Sequence, residues 1–514
     1  MTNLSDHAIV CGDGRLAGRV AQRLHRLNVP VAVITEADHL DLPDAVMVVQ
    51  GDPRVPDVLR EAGVERAESV VLAGDGDVEN LHTSLIVREL APQARIVARA
   101  FSPDLASHFT SLVPNCVALS PGGLAAPAFV AAALEDSQGQ RVAIRDRVLV
   151  ADPSNPERPQ LVTDPRKPRQ LHRHRPNPLA PLWFAFFWNP RVRAAGFLLL
   201  FLILASSAVF TWSEGLSPVD ALYYTVTTFT TTGYGDVSVL KSADWVKIFA
   251  SFLMMAGAAL LPIMAALMTD ALVSVRLARS LGQVPRSVRG HVILCGIGSV
   301  GFSIAVRLIV AGVGVIAVDR DPSSRYASAA RELGIPVVAG DARHPLVLES
   351  ARPQTARALV AATNSDTVNL EVALGARTKF PSLRVVARIF HPDLAKRLHV
   401  LIDSGASRSV PDVAAPAFAA AALGARVVGA LEVPGGVHIA LELDVRPGAP
   451  ADGRTLNELT ADGDGRVLAI DRNGVVEWEP SGTTVLSAGD VVIIDGRSAD
   501  LRDLVDRVRR APRP

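Results

Sequence analysis

Cysteine is nearly absent, with three residues in 514. Three cannot form a disulfide framework, so the bulk of the chain is expected to face a reducing compartment and to hold together by packing. Net charge is also lacking. Lys and Arg number 52, and Asp and Glu number 52. That balance excludes nucleic-acid binding by bulk positive charge. Aromatic residues make up only 5%. The first residues, MTNLSDHAIVCGDG, have no basic stretch followed by an apolar one, so no secretory signal is expected. The 12 histidines show no HxxxH or HxxEH spacing, and Cys11, Cys116 and Cys295 do not stand at metal-ligand spacing.

Apolar residues are abundant instead, at 49% with a mean hydropathy of +0.27. They are unevenly spread. Between Arg193 and Glu214 lie 20 residues without a charge, and between Lys247 and Asp270 lie 22 more. Each run covers about 30 Å as a helix, the thickness of a bilayer core. Trp188 and Trp212 bracket the first run as an interfacial belt would. Basic residues stand before it (Arg191, Arg193) and after the second (Arg276, Arg279, Arg286, Arg289), while the stretch between them is mainly acidic. That asymmetry predicts a multi-pass protein of the cell membrane with both ends in the cytoplasm.

The two flanks are copies of each other. HAIVCGDGRLAG at His7 matches HVILCGIGSVG at His291, and Gly51-Asp52 matches Gly340-Asp341. VARAFSPDLA at Val97 matches VARIFHPDLA at Val386, and APAF recurs at Ala126 and Ala415. Each copy opens strand, glycine loop, helix, strand, which predicts an α/β doubly wound parallel sheet. The boundaries read as a first Rossmann-like lobe at 1–150, a proline-rich basic linker at 151–189 and a two-span α-helical pore region at 190–275. A second linker at 276–290, a second Rossmann-like lobe at 291–425 and a small α+β lobe at 426–514 follow. The first linker, with His172-Arg173-His174-Arg175, is expected to be irregular and to approach lipid headgroups.

Between the spans, residues 217–236 read SPVDALYYTVTTFTTTGYGD. Ser217 and Pro218 can start a helix too short to cross the membrane. It runs into Thr231-Thr232-Gly233-Tyr234-Gly235-Asp236, a run able to turn backbone carbonyls toward an axis and replace the hydration shell of a cation. Irregular backbone at membrane depth is tolerated where it lines a water-filled cavity. This segment resembles the potassium-channel pore family in its two-span form, over about residues 190–275. The resemblance implies a K+-selective homotetramer with ions held at Thr231, Thr232, Gly233 and Tyr234. Thr232 stands where valine is commonest in the family. Gly257 and Pro262 are places where the inner helix could bend, although Gly257 also suits close helix packing.

Copy two carries Gly296, Gly298, Ser299, Val300 and Gly301 between its first strand and helix, and Asp319 follows Gly298 by 21 residues. Glycines there allow the tight turn, the approach of a pyrophosphate to helix N–H groups, and helix–strand packing, while the acid reaches a ribose hydroxyl. Arg320, Asp341, Thr363 and Asn364 are expected to border the same crevice. In copy one the loop holds Gly12, Gly14, Arg15 and Ala17, with Asp13 in place of Ile297, and Thr35 and Glu36 stand at the ribose end. A carboxylate in the phosphate loop predicts a weaker second nucleotide site. Both copies resemble the regulator-of-potassium-conductance (RCK, TrkA-type) domain, the second in its complete form. That implies rings of eight domains, hence one ring per four chains. The family usually places such domains after the pore, and here one precedes it.

Together these readings predict a non-enzymatic potassium channel gated by a cytoplasmic ligand, NAD(H) or an adenine nucleotide. The alternatives are a channel gated by a divalent cation with vestigial nucleotide sites, or a subunit of a potassium uptake system. TADGDG at Thr460–Gly465 has the flavour of a calcium loop, but no glutamate follows at its twelfth position, which favours a plain turn.

Overall fold

The computed structural model describes residues 4–38, 40–101, 109, 111–134, 140–151, 159–163, 190–280, 284, 288–389, 407–433, 436–461 and 465–509. The chain forms two compact units, Met1–Leu171 with Val284–Pro514, and His172–Gln283.

In the first unit, strands β1 (His7–Cys11), β2 (Val31–Thr35), β3 (Met47–Gln50), β4 (Ala67–Leu72), β5 (Arg95–Arg99) and β6 (Cys116–Leu119) pair in parallel in the order β3-β2-β1-β4-β5-β6. Helices α1 (Arg15–Arg26), α2 (Pro56–Glu61), α3 (Asp77–Leu90) and α4 (Pro121–Leu134) connect and flank them. Every residue of VAVIT in β2 is buried, as expected for strands covered on both faces. Next come β7 (Gln140–Ile144), β8 (Arg147–Ala151) and β9 (Gln160–Thr163), a separate antiparallel sheet. Among the described residues of the linker, which was expected to be mostly irregular, β8 ends at Ala151 and β9 is a strand; residues 164–189, with the basic run and Trp188, lie outside the described residues. The short apolar stretches VLVA and LV carry little strand signal next to so many prolines.

The second unit holds α5 (Pro190–Glu214), α6 (Pro218–Phe229) and α7 (Asp244–Ser280). Val192–Glu214 and Asp244–Thr269 are each long and apolar enough to cross a membrane. Phe197, Phe201 and Leu204 of α5 are exposed. Phe210 packs edge-on against Tyr224, with ring centroids 4.9 Å apart, and so ties α5 to α6.

Returning to the first unit, β10 (Val292–Cys295), β11 (Val315–Asp319), β12 (Val337–Ala339), β13 (Ala358–Ala361), β14 (Arg384–Arg388) and β15 (Ser407–Arg408) repeat the parallel order as β12-β11-β10-β13-β14-β15. Helices α8 (Ser299–Val310), α9 (Arg325–Glu332), α10 (Pro345–Ser350), α11 (Asp366–Lys379) and α12 (Val410–Ala422) accompany them. The chain closes with the antiparallel sheet β16-β17-β20-β18-β19, made of β16 (Arg426–Val433), β17 (Gly436–Asp444), β18 (Gly465–Arg472), β19 (Val475–Trp478) and β20 (Val491–Arg497). It also carries α13 (Leu456–Leu459) and α14 (Leu501–Arg509).

The copies pack reciprocally. Helix α4 of copy one lies on α8 of copy two, and α12 of copy two lies on α1 of copy one, so one apolar core runs through both. Arg95 of β5 donates to the Ala422 carbonyl at the end of α12, 2.8 Å away. Its counterpart Arg384 donates to the Ala132 carbonyl near the end of α4. Each guanidinium thus meets the partly negative end of the other copy's helix.

A second repeated pair anchors the first strands. His7 and His291 are buried, and each bonds through Nε2 to a carbonyl, of Ala62 and Ala351 respectively, at 2.9 Å. Burial holds both imidazoles below the usual histidine range. Above pH ~6.5 they are neutral in folded and unfolded chains alike and cost nothing. Below it the unfolded chain takes up protons that the folded chain refuses, so stability falls as pH drops toward the folded values, by at most about 1.4 kcal/mol per histidine per pH unit. The melting temperature of the detergent-purified protein should therefore fall between pH 6.5 and 5, and His7→Gln with His291→Gln should flatten that slope. An unchanged slope would show that other groups carry it.

Candidate functional site

The segment expected to form a filter follows directly on the short helix α6. Ser217 accepts from the Asp220 N–H at 3.2 Å and Pro218 opens α6, as the sequence predicts. At the other end, the Thr232 and Gly233 N–H groups both bond back to the Thr227 carbonyl, at 2.9 and 3.2 Å. Thr231, Gly233 and Gly235 have positive φ, +60°, +53° and +78°. Alternation of right- and left-handed residues brings successive N–H groups to one side and leaves carbonyls on the other. Thr231 is β-branched, and such residues seldom adopt this conformation. Its hydroxyl donates to the Thr230 carbonyl at 2.7 Å. Residues Thr230 to Asp236 are all exposed. Around Gly233 and Gly235 no atom lies within 4 Å of where a Cβ would stand, so conformation and not crowding requires glycine there.

Gly257 has a different role. A Cβ there would lie 2.2 Å from the Phe229 carbonyl oxygen, so this glycine lets α7 press against the end of α6. The helix runs unbroken from Asp244 to Ser280, through both Gly257 and Pro262. Of the two readings of Gly257, packing is the one this conformation displays.

In the first unit, a cavity of about 970 Å³ opens at the carboxyl ends of the copy-two strands. Gly296, Gly298, Ser299, Asp319, Arg320, Asp341, Thr363 and Asn364 all line it. Gly298 has nothing within 4 Å of a would-be Cβ, so the loop backbone is open to a ligand at the N-terminus of α8. The Asp319 carboxylate accepts from the Ile297 N–H at 2.7 Å and from the Asp321 N–H at 2.9 Å. Two of its roughly four acceptor sites stay available to sugar hydroxyls. These residues fit a nucleotide.

Three expected members take supporting places, Gly301 in the packing role expected of the third glycine. Val300 is buried and Gly301 supports the loop, since a Cβ there would meet the Gly296 oxygen at 2.1 Å; neither lines the cavity. Asp341 lines it, but Arg343 clasps its carboxylate at 2.8 Å and holds its pKa down at about 2. Asp52 and Arg54 form the same clasp in copy one. Its recurrence in both copies fits a turn-fixing role better than a ligand contact.

Copy one contributes to this same cavity. Gly14, Arg15, Leu16, Asp75, Arg99 and Phe101 form its far wall, and Arg15 stands 3.7 Å from Asp366 across the two copies. Gly14 and Arg15, expected in a separate weaker site, therefore also serve copy two. Of the others, Ala17 is in the core and Gly12 packs against Gly74. Thr35 is buried and donates to Asp13 at 2.8 Å, while the Glu36 N–H donates to the same Asp13 oxygen at 2.7 Å. This is the Asp319–Ile297 bond with its direction reversed: the carboxylate comes from the loop and the N–H from the strand end.

Further cavity residues escaped the sequence reading. Arg99 and Arg388 occupy equivalent places in VARAF and VARIF, and both line the cavity. Arg388 is pushed down to about 10 by burial and by Arg99 nearby. Asn369 fixes the Thr363 loop, accepting from the Thr363 N–H at 2.8 Å and donating to the Arg388 carbonyl at 2.9 Å. Asn80 donates to the Gly74 and Arg99 carbonyls at 3.0 and 3.1 Å, just as Asn369 donates to those of Thr363, at 3.1 Å, and Arg388. Their repetition in both copies was the signal that could have found them. Among the described residues no group of three or more His, Cys, Asp or Glu is placed to hold a metal ion. Residues 462–464 of the calcium-like turn lie outside the described residues.

Comparison with known proteins agrees with this layout. The TrkA-N domain family matches residues 8–116 and 292–410, the ion channel family matches 197–274, and the TrkA-C domain family matches 440–509. The Trk system potassium uptake protein TrkA homolog of Archaeoglobus fulgidus is 31% identical over 42% of this chain and 49% of its own length. Potassium channel protein 1 of Methanocaldococcus jannaschii is 31% identical over 20% of this chain and 32% of its own. The chain spans less than half the length of these curated relatives. Among solved structures, the GsuK channel is similar in fold, with 16% identity, a TM-score of 0.50, and coverage of 99% of this chain and 79% of its own. The chain thus carries a two-span pore domain of the potassium-channel type between two TrkA-N (RCK-type) domains, the second completed by a TrkA-C domain.

Proposed function

We propose that the chain assembles as a homotetrameric, potassium-selective channel of the cell membrane, with its RCK-type domains in the cytoplasm and its opening controlled by NAD(H) or an adenine nucleotide. The observation that carries the pore reading is the alternation of positive φ through Thr231, Gly233 and Gly235, in a TTGYGD segment seated on a short helix between two apolar spans. Four such segments around one axis would stack carbonyl rings able to replace the shell of a K+ ion. The ligand reading rests on the cavity at the copy-two switch point, where an open Gly298 faces Asp319. A free 2′-hydroxyl suits Asp319, which favours NAD(H) or adenine nucleotides over a 2′-phosphate. Because both copies wall the cavity, a ligand there bears on their packing, and its work would come from unequal affinity for two arrangements of the pair.

Planar-bilayer recording of the purified protein tests this directly. Currents should reverse near the potassium equilibrium potential, and open probability should change when nucleotide is added to the side bearing the RCK-type domains. Equal permeation of sodium and potassium would refute the pore reading. A thermal-shift series with NAD+, NADH, ADP and ATP identifies the ligand, since binding to the folded state alone raises its stability.

A further inference from the structure

We propose that the protein carries a second anion site, outside the nucleotide cavity, where Arg95 of copy one meets Arg446 and Arg509 of the C-terminal lobe, and that it takes a small phosphoryl anion such as inorganic phosphate. The site is independent of the pore reading, because every residue in it belongs to the first unit.

Three elements end together here. Helix α12 stops at Ala422, and Gly424, with φ +102°, turns the chain toward β16. Arg95, at the start of β5, donates through Nη1 to the Ala422 carbonyl at 2.8 Å. Helix α14 runs to Arg509, and the Arg446 N–H donates to the Val508 carbonyl at 3.3 Å, which ties the stretch after β17 to the same helix end. Capping of α12 accounts for one nitrogen of Arg95 and for nothing of Arg446 or Arg509.

Two observations point to a ligand. The first is a cradle at Gly424. The place where a side chain would begin lies 2.8 Å from Arg509 Nη1 and 2.8 Å from Arg95 Nη2. Two like charges therefore stand within about 6 Å of each other across a place that holds no side chain. The second is an orphan. The Arg509 side chain is only 17% exposed, and its buried Nε has no hydrogen-bond partner among the described residues.

Neighbouring acids do not settle these charges. Asp444 stands 3.7 Å from Arg509, beyond hydrogen-bond reach, and is half exposed. It is shared with Arg426 at 3.5 Å, which Glu442 also holds at 3.3 Å. Burial and the charges of Arg446 and Arg95 hold the Arg509 pKa below the usual arginine range, and Asp444 does not offset them. Burial lowers Arg95 as well, with Glu68 and Arg446 acting in opposite directions. A phosphoryl group supplies what is missing, because its oxygens match the fork of a guanidinium and its charge relieves the repulsion. Arg95 comes from copy one and the other two from copy two, so the bound anion ties the copies together at this joint.

The test uses the full-length protein in detergent, with inorganic phosphate as the probe and chloride at matched ionic strength as the reference. Phosphate should raise the melting temperature saturably, and chloride should not. Arg446 is exposed, so Arg446→Gln keeps the fold and should weaken the apparent phosphate affinity at least threefold. Arg446→Gln with Arg509→Gln should weaken it at least tenfold. Neither residue lines the nucleotide cavity. Gly298→Val, which closes the nucleotide loop, should leave the phosphate response in place. A response that Gly298→Val removes and the arginine variants keep puts the anion in the nucleotide loop and overturns the proposal. A rise matched by chloride, or no rise, overturns it too. Unaltered phosphate affinity in Arg446→Gln overturns it even where the double variant does not fold.

Discussion

Gly233→Val is expected to abolish potassium-selective current and to leave nucleotide binding unchanged. Gly233 sits at φ +53° with open space where a side chain would begin. Valine would meet no neighbour there, so the penalty is conformational. An L-residue in the left-handed region costs about 1–2 kcal/mol, and a β-branched one lies at the upper end. In a tetramer that penalty falls four times on one ring of carbonyls. Thr231 already holds this conformation two residues earlier, which leaves little tolerance for a second strained residue. The chain would relieve the strain by turning the peptide, and a turned peptide presents N–H where the ion needs C=O. Reversal potentials in mixed sodium and potassium measure the loss. Persistent potassium-selective current in this variant would remove the segment from the permeation path.

Asp319→Ala should weaken nucleotide binding by about 1–3 kcal/mol, roughly 5- to 150-fold, the worth of a hydrogen bond to a charged group. The same carboxylate holds the Ile297 N–H, so part of that loss could come from the loop itself. Asp319→Asn keeps one acceptor oxygen, enough for the Ile297 N–H but not also for the Asp321 N–H that the other carboxylate oxygen takes; binding retained in Asp319→Asn but lost in Asp319→Ala would assign the loss to the loop. The converse exchange is more telling. In copy one, Asp13 takes the N–H and hydroxyl at the strand end. Asp13→Ile with Thr35→Asp would restore the copy-two arrangement in copy one. Calorimetry on the intact tetramer should give four nucleotides for the parent and up to eight for the exchange. Eight equivalent sites in the parent would show that Asp13 does not obstruct binding.

What could be read from the residues followed from local rules. The charge-free runs, the Ser217–Pro218 helix start and the glycine loop with its acid all depend on neighbours in sequence, and each lies where the spacing places it. The wall that copy one lends to the copy-two cavity was not legible. Arg15 reads as part of its own phosphate loop, and only the packing of α12 on α1 brings its wall to the other copy's cavity. Asp341 borders the cavity as its place at a strand end predicts, but its pairing with Arg343, two residues on, was not read from the sequence. Strand β9 was hidden by its surroundings, because four residues with two adjacent apolar side chains, set among prolines, carry little strand signal without the sheet they pair with.

The reciprocal packing of the two copies has a consequence for how such a protein can change. When two identical chains meet about a two-fold axis, every substitution appears on both sides of the contact. A residue that improves one half of a shared cavity then alters the other half as well. Here the two partners are encoded in tandem, so α1 and α8 can vary independently while still facing the helices of the other copy. Asp13 is an instance: a carboxylate in both phosphate loops would compromise both crevices, whereas in one it leaves the copy-two crevice intact. Covalent linkage releases this interface from two-fold symmetry, and one half is free to become scaffold while the other keeps an open crevice.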